Sequence, residues 1–174
     1  MEKSATSSPV PADRGLDRYI ETMDRWPERI YCSGQRGYRR DDWTFGRMKR
    51  VVLGLCAGLV ERDVGKGDAV VLIGDPSPPW IAAYFAILRC GGVVVPLDGE
   101  SPRDFILHVL ERTTPKLVIA EGGFLANMEG AGYGSLRLES VAEYGAESAA
   151  PESRAPLATR GETRGRSSRR DVTT

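Results

Sequence analysis

Few residues in this chain have the types and spacing that chemistry requires. Among 174 residues there is one histidine, His108, and there are three cysteines, Cys32, Cys56 and Cys90. The cysteines are odd in number and widely separated, so they form neither a disulfide framework nor a C-x-x-C metal or redox motif. They read as three reduced thiols. A single histidine does not build a protein-only zinc site, and His108 reads as a surface or edge residue of a helix. No G-x-S-x-G elbow is present. Neither G-x-G-x-x-G nor G-x-x-x-x-G-K-[ST] occurs. Gly65-Lys66-Gly67-Asp68 and Gly91-Gly92 each precede a strand. They therefore lack the strand-to-helix geometry in which backbone N–H groups face a phosphate, and read as turns. Asp41-Asp42 falls in a hairpin, and Asp98 and Glu100 in a loop after a strand. Ligands of doubly wound sheets sit beyond the carboxyl ends of strands. Asp98 is thus the best-placed polar residue, with a capping or turn role favoured over a ligand role. No residue is assigned as catalytic, cofactor-binding or metal-binding.

The elements that would position these residues follow from hydrophobic periodicity and turn chemistry. Leu16 to Trp26 predicts a short helix burying Leu16, Tyr19, Ile20 and Met23, ended by Pro27. Arg29–Cys32 and Tyr38–Trp43 predict a hairpin turning at 33–37. Thr44 is placed to cap a helix in which Phe45, Met48, Val52, Leu55 and Leu59 recur at steps of three and four. Gly54 and Gly58 inside it call for a close neighbour, since each costs about 1 kcal/mol of helix propensity. Asp63 and Gly65 are candidates for a left-handed exit.

Asp68–Gly74 reads as a strand buried on both faces. Ser77 caps and Pro78 opens a helix over Trp80–Cys90, apolar nearly all round and therefore expected to be buried. Val93–Val95 reads as a second buried strand closed by Pro96. Ser101 is placed to cap a helix with Asp104 three residues on, with Phe105, Ile106, Val109 and Leu110 facing the core and Thr114-Pro115 ending it. Lys116–Ala120 predicts a third strand, Glu121–Gly123 a turn, Phe124–Met128 a short helix and Leu136–Leu138 a fourth strand. The order strand–helix–strand–helix–strand implies right-handed crossovers and a parallel sheet. The fold class is α/β: a three-layer, Rossmann-like subdomain with a mostly parallel sheet, an N-terminal helix and hairpin, and a disordered C-terminal tail.

Composition sets the outer bounds. Apolar residues make up 41% of the chain, and 24 Lys+Arg balance 24 Asp+Glu. That balance argues against a surface built for nucleic acid. No run of ~18 apolar residues exists to span a membrane, and Met1–Pro11 lacks the apolar stretch of a secretory signal. A cytoplasmic location is expected. Residues 1–15 are Ser/Pro/Ala-rich and expected to be disordered, residues 16–143 carry the periodic signal, and residues 144–174 have almost nothing to bury. The tail holds Arg154, Arg160, Arg164, Arg166, Arg169 and Arg170. Without an aromatic for base stacking it does not read as a nucleic-acid site.

Several segments in order resemble the N-terminal subdomain of the adenylate-forming enzymes: acyl-CoA synthetases, fatty acyl-AMP ligases, luciferases and peptide-synthetase adenylation domains. They are Trp43-Thr44-Phe45-Gly46-Arg47-Met48, Val64-Gly65-Lys66-Gly67-Asp68-Ala69-Val70, the stretch from Trp80 through Leu88-Arg89-Cys90-Gly91-Gly92 to Val95-Pro96-Leu97-Asp98, Ser101-Pro102, and Pro115-Lys116-Leu117-Val118-Ile119. Pro76 and Pro79 stand where the family usually has Asn and Glu, and Asp63 where it often has Gly. The resemblance implies a parent reaction in which ATP, with Mg, activates a carboxylic or fatty acid to acyl-AMP, followed by thioester formation with CoA. The family's Thr-Ser-Gly-Thr-Thr-Gly-x-Pro-Lys phosphate loop, expected soon after residue 160, is missing, as are its later motifs. The resemblance therefore implies a truncated fragment, inactive alone, whose partner is the rest of the synthetase. The composition break at the tail suggests a frameshifted reading of a longer gene. A non-catalytic scaffold that uses the same subdomain to pair with a partner is the alternative.

Overall fold

The computed structural model describes residues 16–36, 38–126 and 132–147. The expectations for residues 1–15, for Asn127 and Met128, and for the arginine-rich segment from 148 onward lie outside the described residues. Helix α1 (Leu16–Thr22) runs into a 3-10 turn (Met23–Arg25), followed by a hairpin of β1 (Ile30–Arg36) and β2 (Arg39–Thr44). Then come α2 (Phe45–Glu61), β3 (Ala69–Ile73), α3 (Pro78–Arg89), β4 (Val93–Leu97), α4 (Arg103–Thr113), β5 (Leu117–Ala120), α5 (Gly122–Ala126) and β6 (Gly134–Arg137). A 3-10 segment (Leu138–Glu143) and α6 (Tyr144–Glu147) follow.

The main sheet has four parallel strands in the order β4-β3-β5-β6. The chain steps from β3 out to β4, returns past β3 to β5, and continues to β6. Alternation along the strands sends Val70, Leu72, Leu117 and Ile119 into one core with α2 and α3. Val71, Ile73, Val118 and Ala120 enter a second core with Ile106 and Leu110 of α4. This is the expected three-layer α/β arrangement.

The caps at Thr44 and Ser77 form as the sequence predicts. Thr44 Oγ1 accepts from Arg47 N at 3.2 Å and Ser77 Oγ from Trp80 N at 3.4 Å. Gly54 and Gly58 admit Tyr144: a Cβ at Gly54 would lie 2.2 Å from the Tyr144 carbonyl oxygen, and one at Gly58 2.5 Å from its ring. Residues 144–147, expected to begin an unstructured tail, instead form the turn of helix that supplies this contact.

Several local expectations are corrected. β1 continues through Ser33-Gly34-Gln35 to Arg36, which pairs with Arg39. Ser33 Oγ donates to Asp42 Oδ1 across the ladder at 2.5 Å, and Gly34 leaves room for Pro78, whose Cδ would stand 2.7 Å from an added Cβ. Ser-Gly there serves pairing and packing rather than a turn. β4 is not a buried strand closed by Pro96. It is the sheet edge, with Val93 half exposed and Pro96 inside it, a place where proline is tolerated. Ser101 does not cap α4, which opens at Pro102 without a side-chain cap bond. Phe105 is exposed, Val109 only partly buried, and Leu107 packs against the second core. Helix α3 is buried along Pro78, Ala82, Ala83, Ala86 and Ile87 rather than all round, with Leu88 exposed. Tyr19, expected to face the core from α1, is exposed beside the buried Ile20 and Met23. Asp63 takes the left-handed exit (φ 61°), while Gly65 does not. Residues 122–123, expected as a turn, already belong to α5.

Candidate functional site

The connections leaving β3 and β5 diverge, so the crevice beyond their carboxyl ends is where a doubly wound fold holds its ligand. A cleft of about 110 Å³ opens there, lined by Ile73, Gly74, Asp75, Gly99, Glu100, Glu121 and Phe124. A second cleft of about 210 Å³ shares Glu121 and includes Leu138, Glu139 and Ala142, Ser77–Pro79 of α3's start, and Gly34, Gln35 and Asp41 of the hairpin. Both follow the same rim of the sheet.

Short hydrogen-bonded turns shape that rim. Asp98 Oδ1 accepts from Glu100 N at 2.9 Å, and the Asp98 carbonyl from Ser101 N at 3.1 Å. The Glu121 carbonyl accepts from Phe124 N at 3.0 Å to open α5. Glu139 Oε1 accepts from Gly122 N at 2.9 Å, tying the exit of β6 to that helix. In the hairpin, the Asp41 carboxylate accepts from Trp43 Nε1 at 2.8 Å and from Arg47 Nη1 at 2.7 Å, while the Arg47 guanidinium lies over the Trp43 ring at 4.3 Å. Asp41 thus anchors the fully buried Trp43. Asp42 is exposed, and hydrogen bonds from Ser33 and then Arg40 hold its carboxyl below the usual range.

Among the described residues, the charged side chains that line the two clefts are Asp41, Asp75, Glu100, Glu121 and Glu139, with no lysine or arginine in either lining. A polyphosphate entering there would meet like charge. These residues do not fit the triphosphate of a nucleotide. Among the described residues, no group of three or more His, Cys, Asp or Glu is arranged to hold a metal ion.

The structure separates the sequence candidates. Gly65–Asp68 lies at the opposite, amino end of β3. There Gly65 N donates to Asp68 Oδ2 at 2.9 Å, Gly67 N to the Gly91 carbonyl at 2.9 Å, and Val93 N to the Asp68 carbonyl at 2.8 Å. Lys116 reaches Asp63 at 2.6 Å and Asp68 at 3.6 Å. Its hydrogen bond keeps the exposed Asp63 carboxyl below its ordinary range, and the Lys116 ammonium is held above its own. This end aligns β3 with its two neighbours. His108 is exposed on α4. Asp98 takes the turn role that the sequence favoured for it, its carboxylate accepting from Glu100 N, and Glu100 lines the cleft. Asp75, Glu121 and Glu139 were not singled out by sequence. Asp75 and Glu121 lie within two residues of a strand's carboxyl end, the same signal that pointed to Asp98.

The cysteines also part company. Cys32, on β1, is half-buried; burial pushes its thiol up, Asp41 adds to the rise and Arg47 opposes it. Cys56, on α2, is half-buried and Cys90, at the end of α3, is buried; a hydrogen bond from Cys56 draws the Cys90 thiol down to about 7 against the effect of burial.

Fold and rim together define a doubly wound α/β unit whose ligand-side clefts, among the described residues, are lined by carboxylates and not by cations. The chain belongs to the AMP-binding enzyme family, whose model matches residues 20–166. That match runs past residue 143 into the segment expected to be an unstructured tail. The chain is 33% identical over 101 residues to chalcone synthase cfoA of Aspergillus candidus, covering 58% of this chain and 4% of that protein. It is 28% identical over 154 residues to tyrocidine synthase 3 of Brevibacillus parabrevis, covering 86% and 2%. The AMPPNP-bound form of the nonribosomal peptide synthetase FmoA3 superposes with a TM-score of 0.70 at 26% identity, covering 80% of this chain and 15% of that one. The chain thus spans a small share of the proteins it matches, and the likeness does not single out acyl-CoA synthetases. Among the described residues no helix is long and apolar enough to cross a membrane.

Proposed function

We propose that the chain forms the amino-terminal part of an adenylate-forming ligase. The complete enzyme joins a carboxylic acid to the AMP moiety of ATP, releasing pyrophosphate, and passes the acyl group to a thiol such as that of CoA. The family match across residues 20–166 carries this reading. The acidic rim supports a division of labour in which this segment walls the site and other segments grip the phosphates. Electrostatic stabilisation of a transferring phosphoryl group needs cations or N–H donors aimed at it, and among the described residues no cationic side chain lines the clefts.

The chain alone is expected to catalyse no acid-dependent ATP–pyrophosphate exchange across a panel of amino, fatty and aryl acids. Exchange above the no-acid blank would overturn that expectation. A polypeptide joining residues 16–147 to the downstream coding sequence, read in the frame that encodes the phosphate loop, is expected to exchange with at least one of these acids; silence across the panel would sink the ligase reading. Binding of the chain to a separately expressed remainder without any exchange would favour the scaffold reading.

A further inference from the structure

Two walls of the larger cleft rest on the same helix. On the hairpin side, Asp41 accepts from Arg47 Nη1 of α2 at 2.7 Å, and β2 runs straight into α2 after Thr44. On the other side, Leu138, Glu139 and Ala142 belong to the 3-10 segment that leads into α6. Tyr144, the first residue of α6, sits in a notch of α2. A Cβ at Gly54 would stand 2.2 Å from the Tyr144 carbonyl oxygen, and one at Gly58 2.5 Å from its ring. The fit is tight from the other side as well, since a Cβ at Gly145 would meet Val51 Cγ2 at 2.7 Å. Arg62, whose Nη1 donates to the Gly58 carbonyl at 2.8 Å, places its Cζ 5.9 Å from the Tyr144 ring centroid. Glycine weakens a helix interior, and here it admits the neighbour.

We propose that α2 sets the width of the larger cleft, with Tyr144 as the positioning residue that holds the wall opposite the hairpin. The path from notch to cleft is continuous. The 3-10 segment (Leu138–Glu143) joins β6 to α6 with no loop between, so its place follows from where α6 is seated. At its start, Leu138 packs on Gly74, where a Cβ would lie 3.2 Å from Leu138 Cδ2. Glu139 Oε1 then accepts from Gly122 N at 2.9 Å. Gly122 opens α5, so its N–H has no acceptor within that helix, and its protection from solvent reports on Glu139. The use of the cleft by a substrate rests on the ligase reading; the coupling itself is a property of this chain and is tested on it alone.

The test is amide exchange of the full chain, followed residue by residue by NMR. Glu139→Ala removes the acceptor and sets the scale: Gly122 is expected to exchange about tenfold faster. Tyr144→Ala is expected to give a comparable rise. Tyr144→Phe keeps the ring and the carbonyl, and is expected to exchange as the unsubstituted chain does. Gly58→Ala fills the notch while raising the helix propensity of α2, and is expected to speed Gly122 although α2 is strengthened.

A role confined to stability would speed the slowly exchanging amides of β3 and leave Gly122 unchanged. That result, in Tyr144→Ala or in Gly58→Ala, would overturn the proposal, as would a Gly122 amide indifferent to Glu139→Ala. Where Tyr144→Ala does not fold, Gly58→Ala decides. None of these readouts needs ligase activity, so a failed coupling leaves the ligase reading standing, and silence in ATP–pyrophosphate exchange leaves the coupling standing.

Discussion

The two faces of the parallel sheet bury their side chains in different ways. The face bearing Val70, Leu72, Leu117 and Ile119 lies under α2 and α3, with Leu138, Val141 and Tyr144 closing over them. Glycines at 54 and 58 let Tyr144 touch the backbone of α2, so this face is a core sealed by several elements. The face bearing Val71, Ile73, Val118 and Ala120 is covered chiefly by Ile106 and Leu110 of α4, with half-buried Leu107, Phe124, Leu125 and Tyr133 at its margin. Phe105 and Val93 remain about half exposed. One sheet thus supports one interlocked layer and one thin layer, and α5, which borders the rim cleft, belongs to the thin one. Interlocked cores resist relaxation around a void, whereas a helix held by few side chains can move to fill one.

That contrast can be broken by measurement. Leu55→Ala, in the interlocked core, is expected to destabilise by about 4 kcal/mol, and Leu110→Ala, under α4, by about 2.5 kcal/mol, because the thin layer can collapse onto the space. Urea unfolding midpoints of the two variants read the difference, and equal losses would remove the distinction between the faces. Gly54→Ala is expected to cost about 2 kcal/mol, since its methyl group must displace the Tyr144 carbonyl. A neutral result would show that α6 is not held against α2. Phe105→Ser is expected to stay within about 0.5 kcal/mol, as for surface positions generally. A loss approaching that of Leu110→Ala would place Phe105 in a packed interface and thicken the second layer.

Local chemistry was legible where one residue acts on its immediate neighbours. Thr44 and Ser77 read correctly as caps because the bond each makes spans three residues of its own helix. The helical period from Met48 to Leu59 read correctly because the apolar stripe is intrinsic to the chain. Misreadings came where a distant partner decides. Ser33-Gly34 has turn composition, yet Asp42 and Pro78 hold it in a strand. Val93–Val95 looks like an interior strand, yet β3 offers pairing on only one of its sides. Asp98, by contrast, read correctly as a turn residue, because its bond from Glu100 spans only two residues, while Glu121, which borders both clefts, was not singled out.

The amino-acid sequence by itself determined the α/β class, the caps, the order of the elements and the likeness to adenylate-forming enzymes, because these rest on periodicity, short-range bonds and spacing along the chain. Only the tertiary structure decided which strand is the edge, which carboxylates line the rim, and that Tyr144 seats against Gly54 and Gly58. Those outcomes depend on strand order and helix packing, which bring together residues that no local pattern connects.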